Sequence, residues 1–371
     1  MGDPGSRNGD RSRGDILVAG KKYLVVTTRE LCYFSGSFFL ERIAGALSEE
    51  GADVEFLYLS DGTSKGLTEG ADFSLLESFE GQSFDGIIDI NSKLPYLIAD
   101  DDEPFLDKID APFFNIILDH PLYHHPGLSF KLKNYHAIAI DKFHKKYIED
   151  YYPHIRSVKY LPIPGTKSAC DIPISKRSID VLFPGTLLSD ALIDEELHRQ
   201  GVNIYALSMA LIEEWREGYG TMEEALKKID ITPFITTEEE EKYTFPEWMN
   251  RLYAVDRYMR NEKRKKAVFD FAKTSGRELT IMGEGWEETG IYDLKNVKKI
   301  EPRPMGDAIE IFGDSMTILY VNPLFSYGVH DRVTTGLING CEVITDANPE
   351  ALAEIPEGYD WRDYVSGGRF L

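Results

Sequence analysis

The chain has 371 residues, of which 42% are hydrophobic and 28% charged, and this length and balance predict two globular α/β domains rather than one. The 63 acidic residues outnumber the 41 basic ones and give a formal net charge of -22, so neither a nucleic acid nor an anionic membrane surface is an expected partner. The three cysteines lie far apart and no apolar run can span a bilayer, which excludes a disulfide framework and a clustered cysteine zinc site and favours a cytoplasmic protein.

The first half of the chain alternates β-branched apolar runs with helical segments. Residues 1–20 are polar and glycine-rich, and we expect them to form a disordered tail or tag outside the fold. Residues 21–165 are predicted to form the first domain, a doubly wound parallel sheet. The predicted strands are Lys21–Thr28, residues 52–60, Phe84–Ile90, Pro112–Asp119 and Tyr135–Asp141.

A second domain is predicted over residues 178–371, after a linker at residues 166–177 that has no clear periodicity. The run SIDVLFPGT restarts the strand-loop-helix rhythm, and strands return at Glu278–Trp286, Met316–Pro323 and Cys341–Asp346. Between them, residues 190–275 hold more helix than one crossover needs, so we expect a helical insertion packed on the second domain. The predicted fold class is therefore α/β, with two Rossmann-like domains facing a cleft.

The segment Leu319–Ile355 carries the most specific pattern. A strand leads into a loop, and a helix is predicted to begin near Val329. The free N–H groups and positive end of such a helix favour a diphosphate, and His330 and Arg332 add donors there. The alternative is purely structural, with Asp331 capping the helix and pairing with Arg332.

This segment resembles glycosyltransferases of the spore-maturation-protein type, within the group 1 glycosyl transferases. Their Gly-x-His-(Asp/Glu)-Arg element is matched by Gly328, His330, Asp331 and Arg332, and the later glycine and strand end by Gly340 and Asp346. The stretch FNIILDHPLYHHPGL is also similar to bacterial members. The resemblance implies a GT-B fold with a nucleotide-sugar donor on the second domain, an acceptor mainly on the first, no further cofactor and no metal.

One feature departs from the pattern of that group. Many retaining GT-B enzymes carry two glutamates around this helix, whereas Tyr327 and Thr335 occupy the corresponding positions. Ribose recognition is therefore expected to differ, and the resemblance does not fix whether the sugar configuration is retained or inverted.

Further donor contacts are expected from loops that follow strands of the second domain. Glycine lets a backbone approach a ligand closely, although glycine-rich turns are common without any ligand. Beside His330, Asp331 and Arg332, the predicted donor-binding residues are Gly185, Thr186, Gly283, Glu284, Trp286, Asn322, Ser326, Tyr327 and Gly328.

The loop DHPLYHHPGL of the first domain is the predicted catalytic segment. His120 is the candidate general base and Asp119 its orienting partner, because imidazole suits proton transfer at neutral pH. The predicted acceptor-binding residues are Ser35, Gly36, Tyr123, His124 and His125. The alternatives for this loop are a packed structural turn and a zinc site.

The sequence supports a glycosyltransferase acting on an acceptor glycan, protein or small molecule. The alternatives are a sugar-nucleotide epimerase, a phosphorylase, and a non-catalytic sugar-binding protein with two lobes. Residues Asp100–Glu103 superficially resemble the Asp-x-Asp of metal-dependent GT-A enzymes, but they follow no clear strand and are interpreted as a solvated loop.

Overall fold

The computed structural model describes residues 18–59, 74–217 and 220–366, so most of the predicted tail lies outside the described residues. In the first half, these described residues form six strands and four α-helices. They are β1 (Lys22–Thr27), α1 (Ser35–Glu49), β2 (Asp53–Tyr58), α2 (Ser74–Glu77), β3 (Gly86–Ile90), β4 (Phe113–Ile117), α3 (His125–Ser129), β5 (Tyr135–Ala139), α4 (Lys142–Tyr151) and β6 (Ser157–Tyr160).

The second half contains five strands and ten α-helices among its described residues. They are β7 (Ile179–Pro184), α5 (Asp190–His198), α6 (Val202–Glu217), α7 (Met222–Lys228), α8 (Thr237–Lys242), α9 (Phe245–Arg251), α10 (Tyr253–Thr274), β8 (Leu279–Met282), β9 (Val297–Ile300), α11 (Met305–Gly313), β10 (Ser315–Tyr320), α12 (Asp331–Ile338), β11 (Glu342–Thr345), α13 (Pro349–Ala353) and α14 (Trp361–Val365). The short strands β6 and β9 have no counterpart in the sequence prediction.

Each half forms its own sheet, and every strand pair is parallel. The strand orders are β2-β1-β3-β4-β5-β6 and β11-β10-β7-β8-β9. Strands such as β3 and β4 are buried on both faces, as their unbroken apolar runs predict. The fold class predicted from the sequence, two Rossmann-like domains in the GT-B architecture, is confirmed.

The order of strands reverses once in each sheet. In the first sheet this switch lies between β1 and β3, and in the second between β7 and β10. Ligands of open α/β sheets bind beyond the carboxyl ends of the strands at such a point. A ligand is therefore expected beside the loops after β1 and β3 in the first domain and beside the loops after β7 and β10 in the second.

The helical insertion packs differently from the expectation. Apolar side chains of α5, α6, α7 and α9 join the core of the first domain, where Leu252 and Met249 share a cluster with Leu122. Only the later part of α10 packs under the second sheet, through Val268 and Ala272. The insertion was expected to pack on the second domain, and it packs there only in part, because its other helices bury their apolar side chains against the first domain around Leu122.

The end of the chain returns to the first domain as well. Trp361 and Tyr364 of α14 lie in the same core cluster as Phe39 of α1, and the Trp361 indole donates to the Thr166 hydroxyl at 2.9 Å. Arg362 pairs with Glu49 across this contact. The two domains are thus connected by the insertion and by the C-terminal helix. Among the described residues, none of the helices is long and apolar enough to cross a bilayer.

Gly165 is a point of close contact between the domains, and we expect its replacement to destabilise the protein. A Cβ atom on Gly165 would lie 2.3 Å from the Thr334 carbonyl oxygen in α12. Gly165→Ala should lower the free energy of unfolding by about 1–3 kcal/mol, the usual cost of overpacking. Gly45→Ala is the matched control, since Gly45 has open space in α1 and alanine there should add about 1 kcal/mol. Denaturant unfolding of both variants checks this, and equal stability of the two would contradict it.

Candidate active site

A cavity of about 370 Å³ lies where the first domain meets helix α10, and four of its nine lining residues are arginines. We call it the arginine cavity. It is lined by Arg29, Asp119, Tyr123, His124, Leu188, Arg257, Arg260, Asn261 and Arg264. Such a concentration of positive charge is unexpected in a chain whose net charge is -22.

Helix α10 supplies three of these arginines on one face. Arg257, Arg260 and Arg264 are spaced three and four residues apart, which places successive side chains on the same side of a helix. The first two are held from behind by acidic partners, because Arg257 pairs with Glu196 at 2.5 Å and Arg260 with Asp256 at 2.5 Å. Their guanidinium groups lie over the Tyr123 ring, 5.7 and 5.2 Å from its centroid.

The opposite wall comes from loops that follow β1 and β4. Asp119 follows β4 and is the only carboxylate among the described residues lining the cavity. Its Oδ2 accepts from Asn91 Nδ2 at 3.2 Å and lies 3.9 Å from His124 Nε2. Its side chain keeps 42% of its surface exposed, so a ligand in the cavity can reach it.

The charges around Asp119 determine its protonation state. Burial alone would raise the pKa of Asp119, but the positive charges around it, first Arg260 and then Arg29, outweigh burial and hold the pKa below its usual value. Burial, helped by Arg29, lowers the pKa of His124 to about 3. At neutral pH the imidazole is therefore uncharged, and the arginines remain as the charges that keep Asp119 ionised.

The side of the cavity that faces the second domain lies at the switch point of the second sheet, and we call it the rim. Arg264 Nη1 donates to the Thr186 carbonyl at 2.6 Å, just after β7, and the Thr186 hydroxyl lies 2.9 Å from the Tyr33 hydroxyl of the first domain. Arg332 lies over the Tyr320 ring at the end of β10, 5.8 Å from its centroid. Burial, with added repulsion from Arg332 and Arg260, lowers the pKa of Arg264 to about 10. Arg264 and Arg332 are thus neighbouring cations at this rim.

The predicted pairing of His120 with Asp119 is wrong. His120 Nε2 lies 2.8 Å from Glu223 Oε1 of helix α7, and Nδ1 accepts from the Leu122 amide at 3.0 Å. The ring also packs edge-on against His144 and Tyr147. Both ring nitrogens of His120 already have hydrogen-bond partners in the protein, and the bond to Glu223 connects helix α7 of the insertion to the loop. The imidazole nearest Asp119 belongs to His124.

Among the predicted acceptor residues, Tyr123 and His124 line the arginine cavity, whereas His125 does not. The Tyr123 hydroxyl donates to Asp256 at 2.5 Å, and His125 Nδ1 contacts the Tyr152 hydroxyl at 2.9 Å on the other side of the loop. Ser35 and Gly36 begin helix α1, and a Cβ on Gly36 would come within 3.2 Å of the Arg29 carbonyl. Gly36 therefore allows the close turn that positions Arg29.

Several predicted donor residues have structural positions instead. The Trp286 ring is completely buried and its indole donates to the Gly185 carbonyl at 2.7 Å, so the prediction that Trp286 contacts a ligand is wrong. Gly283 packs against the same carbonyl, since a Cβ on Gly283 would lie only 2.2 Å from the Gly185 oxygen. Glu284 is exposed, and its carbonyl accepts from the Leu187 amide at 2.8 Å.

The loop after β10 contacts the first domain rather than the arginine cavity. The Tyr327 amide donates to Asp141 Oδ2 at 2.7 Å, and its ring lies 4.0 Å from the Lys142 ammonium group. Gly328 packs against the Ile140 carbonyl of the first domain. Within the second domain, the Ser326 carbonyl accepts a hydrogen bond from Asn348. The side-chain amide of the buried Asn322 donates to the Phe325 and Gly328 carbonyls at 3.4 Å. This loop joins the domains, which explains the glycine at position 328.

Helix α12 begins two residues later than predicted, at Asp331. His330 is its N-cap, and its Nδ1 lies 2.5 Å from Asp331 Oδ1. The cap is therefore His330 rather than Asp331, and Asp331 pairs with His330 whereas Arg332 packs on Tyr320. In the described part of the chain, we find no group of three His, Cys, Asp or Glu side chains placed to hold a metal ion.

Five residues that line the cavity were not predicted from the sequence: Arg29, Arg257, Arg260, Asn261 and Arg264. The signal available was the run DRYMRNEKR, in which arginines recur at helical spacing on a helix that was assigned only a packing role. Nothing in the sequence places Arg29 opposite that helix.

The sequence matches no protein-family model and no curated protein. Structures similar to this chain include the DNA-modifying β-glucosyltransferase solved with and without uridine diphosphoglucose, at 12% identity and a TM-score of 0.42, covering 88% of this chain and 79% of that one. AviGT4, a glycosyltransferase of avilamycin A biosynthesis, has 13% identity and a TM-score of 0.44 over 94% and 88%. An α-glucosyltransferase in complex with UDP and DNA has 11% identity and a TM-score of 0.47 over 88% and 79%. Similarity at this level assigns no function, and the two-sheet architecture above rests on the strand pairing itself.

Proposed function

We propose that this protein transfers a sugar from a nucleotide-sugar donor to an acceptor hydroxyl in the arginine cavity. The observation that carries the proposal is the convergence of four arginines and one carboxylate on a single cavity beside the switch points of two Rossmann-like sheets. A transfer between two separately bound substrates needs such a site between two domains, with cations for a leaving diphosphate and one base for the acceptor.

The donor diphosphate is assigned to the rim formed by Arg264 and Arg332. Both are cations at neutral pH, and neither has a carboxylate within salt-bridge distance among the described residues. Guanidinium groups bind phosphate oxygens in a forked geometry and stabilise the charge that develops on a leaving diphosphate. Donor binding would also relieve the repulsion between the two arginines.

Asp119 is assigned as the general base, in place of His120. Its carboxylate is ionised, reaches the cavity and has no ion pair shorter than its 3.9 Å approach to His124 among the described residues. A bound diphosphate would neutralise part of the arginine charge that lowers the pKa of Asp119. The carboxylate should therefore become a stronger base once the donor has bound. An epimerase would need further carboxylates in the cavity, and the described lining offers one.

Donor hydrolysis and binding test the proposal directly. The purified chain is incubated with UDP-, GDP-, ADP- and dTDP-sugars, and release of nucleoside diphosphate is measured together with the melting temperature in each free diphosphate. At least one diphosphate should raise the melting temperature, since a ligand that binds only the folded state stabilises it, and its sugar should be hydrolysed slowly without acceptor. If no diphosphate binds and none is released, the proposal fails.

The acid limb of the pH profile should report Asp119. Because nearby arginines lower its pKa, the wild-type carboxylate stays ionised, and kcat/KM should fall only at strongly acidic pH. Arg29→Gln removes one of those charges, so the pKa should rise and the acid limb should move to higher pH. Measurement of kcat/KM against pH for both proteins checks this. An unmoved limb in a folded Arg29→Gln protein would remove Asp119 from the role.

A further inference from the structure

Resting on the proposed function, we propose that the acceptor is a small molecule that carries its own anionic group, a phosphate or carboxylate, and that Arg29 binds this group on the first-domain wall of the arginine cavity.

The basis is a second pair of cations without acidic partners. Arg29 forms no ion pair with any described carboxylate, and its Nε is buried with no hydrogen-bond partner. Lys93 lies near enough for the two charges to interact, since burial and the charge of Arg29 lower the pKa of Lys93. The Lys93 ammonium group lies 5.0 Å from the centroid of the Tyr96 ring. Both side chains are half-buried, and neither forms a salt bridge with a described carboxylate, so the anionic group of a ligand would offset the cost of holding the two cations together.

These two cations are held rigidly at the switch point of the first sheet. The Thr28 and Ser92 hydroxyls each donate to Asp89 Oδ2 at 2.6 Å, and the Lys93 amide donates to the Thr28 hydroxyl at 2.8 Å. This network joins the residues that precede Arg29 and Lys93 across the ends of β1 and β3. The pair is therefore preorganised for a ligand rather than free on a surface.

The position of this pair separates it from the diphosphate. A helix rises 1.5 Å per residue, so the Cα atoms of Arg257 and Arg264 lie about 10.5 Å apart, longer than one diphosphate. Arg264 donates to the Thr186 carbonyl of the second domain, whereas Arg29 follows β1 of the first domain and its charge acts on Asp119 and His124. An acceptor whose hydroxyl meets Asp119 would place its own anionic group at Arg29. A nucleic acid chain is disfavoured because its further phosphates would meet a surface of net charge -22.

Inorganic phosphate is the probe that separates the two anion sites. Calorimetric titration of phosphate is performed on the protein alone and on protein saturated with the nucleoside diphosphate that binds best. We expect phosphate to bind in both cases, with affinities that agree within about twofold. Arg29→Gln should weaken phosphate binding at least tenfold and leave diphosphate binding within about threefold, while Arg332→Gln should do the reverse. Lys146→Gln, at an exposed position, is the control for loss of one surface charge.

The outcomes distinguish this inference from the proposed function. If phosphate binding disappears when the diphosphate is bound, or survives Arg29→Gln, the inference is overturned. If no diphosphate binds but phosphate still requires Arg29, the anion site stands and the glycosyltransferase proposal fails. Competition by glucose 6-phosphate and by glucuronate, with glucose as control, then shows whether the acceptor anion is a phosphate or a carboxylate. A short oligonucleotide that displaces phosphate better than either would overturn the small-molecule acceptor.

Discussion

Asp119→Asn is expected to lower kcat by about 10²–10⁴, the usual contribution of a general base, and to leave binding of the nucleoside diphosphate nearly unchanged. Asparagine keeps the shape of the side chain, but it cannot take a proton from the acceptor hydroxyl. Asp119 accepts a bond from Asn91 and has no ion pair closer than His124, so the fold should tolerate the change. Single-turnover rate, diphosphate affinity and melting temperature are measured on the same preparation.

His120→Ala provides the contrasting variant for this experiment. Because His120 bonds Glu223 and caps the turn at Leu122, its removal should lower the melting temperature while turnover stays close to wild type. The contact with His120 outweighs the effect of burial and lowers the pKa of Glu223 to about 2, so the substitution also leaves an ionised carboxylate without its partner. The opposite pattern, a stable His120→Ala protein without turnover beside an active Asp119→Asn protein, would restore His120 as the base.

The second large effect is expected at Arg332. Arg332→Gln should weaken nucleoside diphosphate binding by about 1.5–3 kcal/mol, the scale of hydrogen bonds to a charged group, which is roughly tenfold to a hundredfold in Kd. The side chain lies over Tyr320 beside Arg264, so the loss should fall on the ligand more than on the fold. Calorimetric titration with the diphosphate that gives the largest thermal shift is the measurement.

Arg156→Gln is the matched control for Arg332→Gln. It removes the same charge, but from an exposed position just before β6. Strand β6 is at the edge of the first sheet, whereas the switch point lies between β1 and β3. The affinity of Arg156→Gln for the diphosphate should equal that of the wild type. If both variants bind the diphosphate equally weakly, the net charge of the protein determines the affinity and the rim does not. If a folded Arg332→Gln protein binds the diphosphate as tightly as the wild type, the rim is not the donor site.

The amino-acid sequence by itself determined most of the strands and their arrangement in two parallel sheets. Runs such as residues 23–26 and 181–183 are apolar and rich in β-branched and aromatic residues, and all of them are buried in the structure. Such strands need helices on both faces, which restricts the topology to a doubly wound sheet. The loops that follow these strands, including those of Thr186 and Asp119, lie at the carboxyl ends of the two parallel sheets, as this topology requires.

Only the tertiary structure decided which side chains meet there. Periodicity shows that a helix has an apolar face, but it does not tell which domain covers that face, and the insertion proved to pack on the first domain as well as the second. That packing gives His120 a partner 103 residues away and turns the arginines of α10 toward Asp119. Trp286 was misassigned for the same reason, since a ring after a strand can face a ligand or the core. Local sequence predicts helices and strand segments because side-chain periodicity and dihedral preferences are local, whereas the site depends on contacts between residues far apart in the chain.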